Sequence, residues 1–246
     1  MKRQKTSTNE QGSIIVYILL GVALFAALGF AVSNMMRSTT SVGSETAGVH
    51  ASEIISYAHT LRQALHVLRI SNECADDEIS FERASFDGSD PIYVNTSAPS
   101  DFSCHIFHPN GGGVSYQKID DTWLDLSRSS QSLYGEYLFS GGHGIPTIGT
   151  HGDNTDTSMK ELIVILPWID AGLCRKMNEQ LGHIETGQPI PQETGNIDMT
   201  PFTGAYGTWA LVSEGSSIEG KTAGCFAGST GIWDGSYYFY HLLIAR

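Results

Sequence analysis

Residues 13–32 read SIIVYILLGVALFAALGFAV, and no charged residue occurs between Gln11 and Met36. About 20 apolar residues at ~1.5 Å rise span the ~30 Å hydrocarbon layer of a bilayer, so the run predicts a transmembrane helix over 13–36. Lys2, Arg3 and Lys5 precede it, and Arg37 is the first basic residue after it. That asymmetry predicts a cytoplasmic N-terminus and an external remainder: a single-pass membrane protein with its head on the non-cytoplasmic side. Ala31-Val32-Ser33 also has small residues at the spacing of an ordinary signal-peptide cut, so removal of the whole segment stays open as a second processing route. Ala23, Ala27 and Ala31 recur every fourth residue and predict a small-residue stripe for helix packing.

Working outward, His50–Ile70 has the helical period. Ile54, Ala58, Leu61, Leu65 and Leu68 mark one stripe, while Glu53, His59, Arg62, Gln63, His66 and Arg69 fill other faces. Ser38–Gly48, rich in Ser, Thr and Gly, predicts a weak or bent joint between the two helical stretches. Beyond Ser71, short runs predict strands at Ile92–Asn95, Cys104–Phe107, Val114–Lys118, Leu133–Phe139, Glu161–Leu166, Trp209–Val212 and Tyr237–Ile244. Gly111-Gly112-Gly113 predicts a turn, Ser140–Asp156 a polar loop, and Pro167 the end of the Glu161–Leu166 strand. Ile169–Leu181 predicts a helix stopped by Gly182.

Composition narrows the function classes. The chain has 246 residues, a formal charge of -12 and only 16% charged residues, with 27 glycines. An acidic surface repels phosphate backbones, so no nucleic acid partner is expected, and an anionic lipid surface is disfavoured likewise. Cys74, Cys104, Cys174 and Cys225 form no CxxC motif, and their even number at wide spacing points to two disulfides in an oxidising compartment. Three pairings are possible. Cys74–Cys104 with Cys174–Cys225 is favoured because each closes a loop within one lobe, each worth about 3–4 kcal/mol in the chain-entropy model.

The N-terminal stretch Lys2-Arg3-Gln4-Lys5 to Glu10-Gln11-Gly12-Ser13-Ile14-Ile15-Val16 resembles the leader of the type IV pilin and pseudopilin family. The resemblance implies cleavage by a prepilin peptidase after Gly12, leaving Ser13 as the new N-terminus. It also implies a first helix that packs with other pilin-like subunits in a filament or secretion machine. The chain departs from the family pattern twice. Ser13 stands where Phe or Met is usual, and Tyr17 stands where the fifth mature residue is usually glutamate.

Other chemistry is weakly signalled. His105 and His108 fall on opposite faces of a strand, and joining Cys104 to them in a zinc site would require a reduced thiolate. Asp153, Asn154 and Asp156 are weak calcium candidates because hard oxygens recur there, without the full loop pattern. No Gly-x-Ser-x-Gly or His-Glu-x-x-His occurs, no cofactor is implied, and no catalytic residue is assigned. Trp209, Trp233 and Tyr237–Tyr240 predict core packing first, and a sugar- or protein-binding surface second.

The expectation is therefore an α+β protein. A long N-terminal helix, transmembrane then amphipathic, packs on a disulfide-stapled, mostly antiparallel β-rich head. The divisions are a basic leader (1–12), the membrane helix (13–36), a joint and amphipathic helix (37–71) and an extracytoplasmic head (72–246). The function expected is a pilin-like or pseudopilin-like subunit anchored in the inner membrane, a structural protein and not an enzyme. Its partners would be the bilayer through 13–36, prepilin peptidase and other envelope subunits. The alternatives are a single-span envelope protein whose head binds a ligand or partner, and a membrane-anchored hydrolase.

Overall fold

The computed structural model describes residues 16–26, 39–83, 92–149, 160–195, 197–207, 210–213, 215–229 and 233–246. The chain divides into two compact units, Met1–Glu45 and Thr46–Arg246.

In the first unit, the described residues 16–26 are helical, labelled α1, and largely exposed. No helix among the described residues is long and apolar enough to cross a membrane. The expected transmembrane helix over 13–36 is corrected accordingly, and with it the single-pass inner-membrane placement. Ala23 lies exposed on α1. Gly12, Ser13, Ala27 and Ala31 lie outside the described residues, so the cleavage site and the rest of the small-residue stripe do too.

Helix α2 spans Thr39–Ser71. Within the described part of the Ser/Thr/Gly joint, residues 39–48, the expected break is absent, since Gly43 and Gly48 both lie within the helix. One tertiary bond meets the helix at Gly48, whose carbonyl accepts from the Gln180 side-chain amide (2.6 Å) as well as from the Ser52 hydroxyl one turn on (3.0 Å). From Ala51 onward the predicted stripe is the buried one. Ile54, Ala58, Leu61, Leu65 and Leu68 are each no more than 1% exposed.

Six strands make one sheet in the order β3-β5-β6-β2-β1-β4. They are β1 Leu138–Gly144, β2 Glu161–Ile169, β3 Gln192–Glu193, β4 Ala210–Leu211, β5 Ala223–Gly228 and β6 Tyr237–Ile244. The four inner strands pair antiparallel, while the two-residue edge strands β3 and β4 pair parallel with β5 and β1. The sheet is thus mixed, with antiparallel inner strands flanked by two short parallel edge strands. The edge strands arrive from long irregular connections, and no hairpin forces them to run antiparallel. The general α+β class stands; a membrane-spanning first helix does not, among the described residues.

The central strand β2 is buried on both sides. Leu162, Val164 and Leu166 face α2 and the helix α3 (Ala171–Gln180), whereas Ile163, Ile165 and Trp168 face the opposite core. Contrary to expectation, Pro167 does not end the strand. It sits in an irregularity between Leu166 and Ile169, beside Trp168 at φ 62°. Proline needs no ladder donor at such a bulge, and the extra residue moves Trp168 to the face opposite Leu166.

Helix α3 begins at Asp170, whose carboxylate accepts from the Gly172 and Leu173 N–H groups, and gives way to Gly182 at φ +70°. Two disulfides join Cys74 to Cys104 and Cys174 to Cys225. The second ties α3 to β5. Beside it the Asn178 amide donates to the Cys225 carbonyl (2.6 Å) and accepts from its N–H (2.8 Å).

Candidate functional site

Amphipathic α2 buries its apolar stripe and so turns a different stripe outward: Ser52, Ser56, Thr60 and Gln63, continuing to the half-exposed Val67. Facing it runs the chain from Gly112 to Ile119. Between them lies an open groove of about 1040 Å³, floored by the buried Tyr57, Ala64 and Tyr137, with the half-buried Trp123 also in its lining.

The second wall owes its position to the glycine turn. A Cβ on Gly111 would stand 2.1 Å from the His105 carbonyl oxygen, and one on Gly112 2.6 Å from that of Ile106. Only glycine lets the chain turn so tightly against its own backbone. Beyond the turn the Val114 N–H donates to the Ile106 carbonyl (3.1 Å), and the Ile119 N–H to the Gly135 carbonyl (3.4 Å). Val114–Lys118 keeps the expected strand-like alternation, with Ser115 and Gln117 exposed and Val114 and Tyr116 half-buried, but it joins no ladder. Its middle is held by a side chain instead. The Tyr57 hydroxyl donates to the Ser115 carbonyl (3.3 Å) and accepts from the Gln117 N–H (3.1 Å). Burial pushes the Tyr57 phenol up to about 12, so it keeps its donor proton at neutral pH.

Behind the floor is a tyrosine cluster. Tyr93 donates to the Tyr137 carbonyl (2.8 Å) and accepts from the Phe139 N–H (3.3 Å). Tyr116 donates to the Glu136 carboxylate (2.8 Å), which also pairs with Arg83. The Arg83 guanidinium lies 4.9 Å from the Tyr116 ring centre. Tyr137 is wholly buried, and its hydroxyl has no hydrogen-bond partner among the described residues.

A second polar group sits inside the head. Ser140 and His143 of β1 are both fully buried, with the hydroxyl 3.2 Å from His143 Nδ1. The Asp198 N–H donates to Nε2 (3.1 Å), so the ring proton sits on Nδ1 and points at the serine. The serine oxygen also receives the Gly142 N–H (3.2 Å). This is the reverse of a nucleophile–base pair: the imidazole donates where a base would accept, and no substrate reaches either group.

The expected metal candidates fare as follows. Cys104 is in a disulfide, His105 is buried 3.9 Å from Glu82, and His108 Nδ1 accepts from the Asn110 N–H. Among the described residues, no group of three or more His, Cys, Asp or Glu is placed to hold a metal ion. Asp153, Asn154 and Asp156 lie outside the described residues. Trp233, half-buried, stacks on buried Trp168 at 5.0 Å and meets Tyr238 edge-on, as core packing rather than an open platform.

Sequence reading did not single out the groove residues Tyr57, Gln63, Gln117 and Tyr137. A signal was present in Ser52, Ser56 and Thr60, small hydroxyls every fourth residue on the outer face of α2, where long charged side chains are the ordinary choice. No family model, curated protein or solved structure matches the chain.

Proposed function

We propose that the protein is a pilin-like or pseudopilin-like structural subunit that works by assembling with partner subunits and not by catalysis. The observation that carries this reading is the division of labour on α2. One stripe is the wall of the head's core, and the next stripe lies open along a groove. A helix used on both sides suits a subunit whose neighbours dock on it. Two disulfides support the same reading, because they make a rigid unit suited to an oxidising setting. The leader-like Gln11-Gly12 before an apolar run adds the resemblance of sequence.

Protein recovered from its native cells tests the proposal. The expected result is a mature chain beginning at Ser13 that sediments as a multimer and cross-links to other subunits. Retention of Lys2–Gly12 together with a monomer at every concentration overturns it. That result would favour a second reading, a partner-binding protein without a filament, which the same groove also supports. A hydrolase is the least favoured reading, since the buried Ser140–His143 pair has its proton on the wrong side.

A further inference from the structure

We infer that the seam between α2 and β6 binds a small free oxyanion of the sulfate or phosphate class, held by Arg62 and His59 of the helix above His241 of the strand. Arg62 differs from its fellow arginines. Arg69 and Arg246 share the Asp76 carboxylate (2.8 and 3.5 Å), Arg83 pairs with Glu136, and Arg128 and Arg175 donate to the carbonyls of Asp234 and Gln188. Arg62 is the only arginine among the described residues with neither an ion pair nor a hydrogen bond. It is also half-buried, so water screens its charge only in part. An unpaired charge drawn out of water is costly, yet a chain with 26 Asp and Glu places none of the described ones within ion-pair distance of it.

The neighbours of Arg62 repeat the pattern. His59 and His66 stand three residues before it and four after, on the same face of α2, and both are exposed. Beneath them, His241 is 1% exposed, sets its ring edge-on to His59 at 4.7 Å and leaves Nδ1 without a hydrogen-bond partner among the described residues. The sheet brings no counter-charge. The residues paired with His241 on its two neighbouring strands are Val164 and Ala223, and α3 adds only Leu173 and Met177 to the same core. The charged groups acting on His241 are therefore those of α2. Burial first, then His59 and Arg62, holds its imidazole down to about 4.

Charge and donor chemistry select the guest. A guanidinium presents a rigid fork that fits two oxygens of an oxyanion, and the imidazoles beside it add ring N–H donors. A metal ion on the same imidazoles would have to overcome the Arg62 charge. The guest is also small. A net charge of -12 repels a polyanion as it approaches, whereas beyond ~8 Å at physiological ionic strength a single ion is screened from the distant carboxylates and responds to the charges beside it.

The inference goes beyond the assembly reading and does not rest on it. Its test is side-chain NMR of the histidines in the full, disulfide-intact protein, titrated with sulfate against chloride at constant ionic strength. Saturable shifts of His59 and His241 with sulfate are expected. The affinity should rise about threefold or more from pH 7.5 to 5.5. Sulfate keeps its charge over that range, while a bound anion offsets the repulsion that keeps protons off the imidazoles. Arg62→Gln should weaken sulfate binding at least tenfold. Lys118→Gln, which removes the same charge from the far wall of the α2 groove, should change it less than twofold. Unchanged melting of each variant guards against misfolding. His59→Asn, at an exposed position, serves if Arg62→Gln fails that check, with about a fivefold loss expected. Shifts that never saturate, equal shifts with chloride, equal losses in the Arg62 and Lys118 variants, or shifts with phosphatidylglycerol vesicles but none with free sulfate overturn the inference.

Discussion

The two faces of the sheet are sealed from water by different means. On one face, α2 and α3 bring Leu61, Leu65, Leu173 and Met177 down onto Phe139, Val164, Leu166 and Phe239. All four disulfide cysteines lie in that core. On the other face no helix is present among the described residues. Ile145, Ile197, Val212 and Ile218, from separate connecting segments, cover Ile163, Ile165, Tyr238 and Tyr240. A helix delivers several apolar residues at once in fixed geometry, whereas a loop delivers one or two and can shift around a void. The helix face should therefore be the stiffer one, and adjacent residues of β2 allow that difference to be broken open.

Leu166→Ala and Ile165→Ala remove similar volumes from opposite faces of one strand, both from fully buried positions. Core truncations of this kind cost about 2–5 kcal/mol, the spread depending on how far the site collapses. Leu166→Ala is expected near the upper end and Ile165→Ala near the lower, by denaturant unfolding with unchanged m-values. Equal losses would refute the stiffness difference.

Next in size is the staple between α3 and β5. Replacing Cys174 and Cys225 together by alanine removes a crosslink across 51 residues, worth about 4 kcal/mol in the chain-entropy model. The double variant should therefore melt well below the parent. Leu166→Ala made in it should cost less than in the parent, since an unstapled α3 can settle into the void. Additive losses would show that the staple does not set the stiffness of that face.

Strands β1 and β6 each also bury one histidine, and here the two are alike. His143 meets the Asp198 backbone from the loop side, and burial above all holds its imidazole down to about 4. His241 of β6 faces α2, its ring edge-on to His59 at 4.7 Å and its Nδ1 without a hydrogen-bond partner among the described residues. Burial first, then His59 and Arg62, holds it at about 4 as well. The ordinary value is 6.5, so between pH 6.5 and 4 the unfolded chain binds protons that the folded chain refuses. Stability from these groups is full above pH 6.5, falls with pH, and is lost below pH 4, about 3 kcal/mol for each histidine. A histidine replaced by glutamine should flatten that part of the stability-against-pH curve by its own share. A curve unchanged in both His143→Gln and His241→Gln would sink the assignment.

Much of this fold was legible one residue at a time. The inward stripe of α2, the strand Tyr237–Ile244, the helix after Asp170 with its stop at Gly182, and the cysteine pairing all follow from period, capping or loop size. Three features were hidden. Ala223–Gly228 is a strand made of small residues with little strand propensity, kept in place by Cys174, Asn178 and its pairing with β6. Ser140–Gly144 looks like loop because of its glycines, yet Gly141 is needed there, since a Cβ would stand 2.8 Å from the Phe202 ring. Pro167 reads as a terminator because proline lacks a donor, and a bulge makes that lack harmless.

The groove was half legible. Its helix wall is a run of small hydroxyls, and its other wall was read as a strand, though it joins no ladder. That the two stand side by side, joined by one tyrosine hydroxyl 58 positions away from its acceptor, is a long-range fact. Sequence alone determined which residues want water, which want a core and where the backbone must turn, because those preferences act within a few residues. Which apolar stripe meets which strand, and which polar stripe is left to line a groove, was decided by tertiary packing, because burial is set by whatever the rest of the chain brings near.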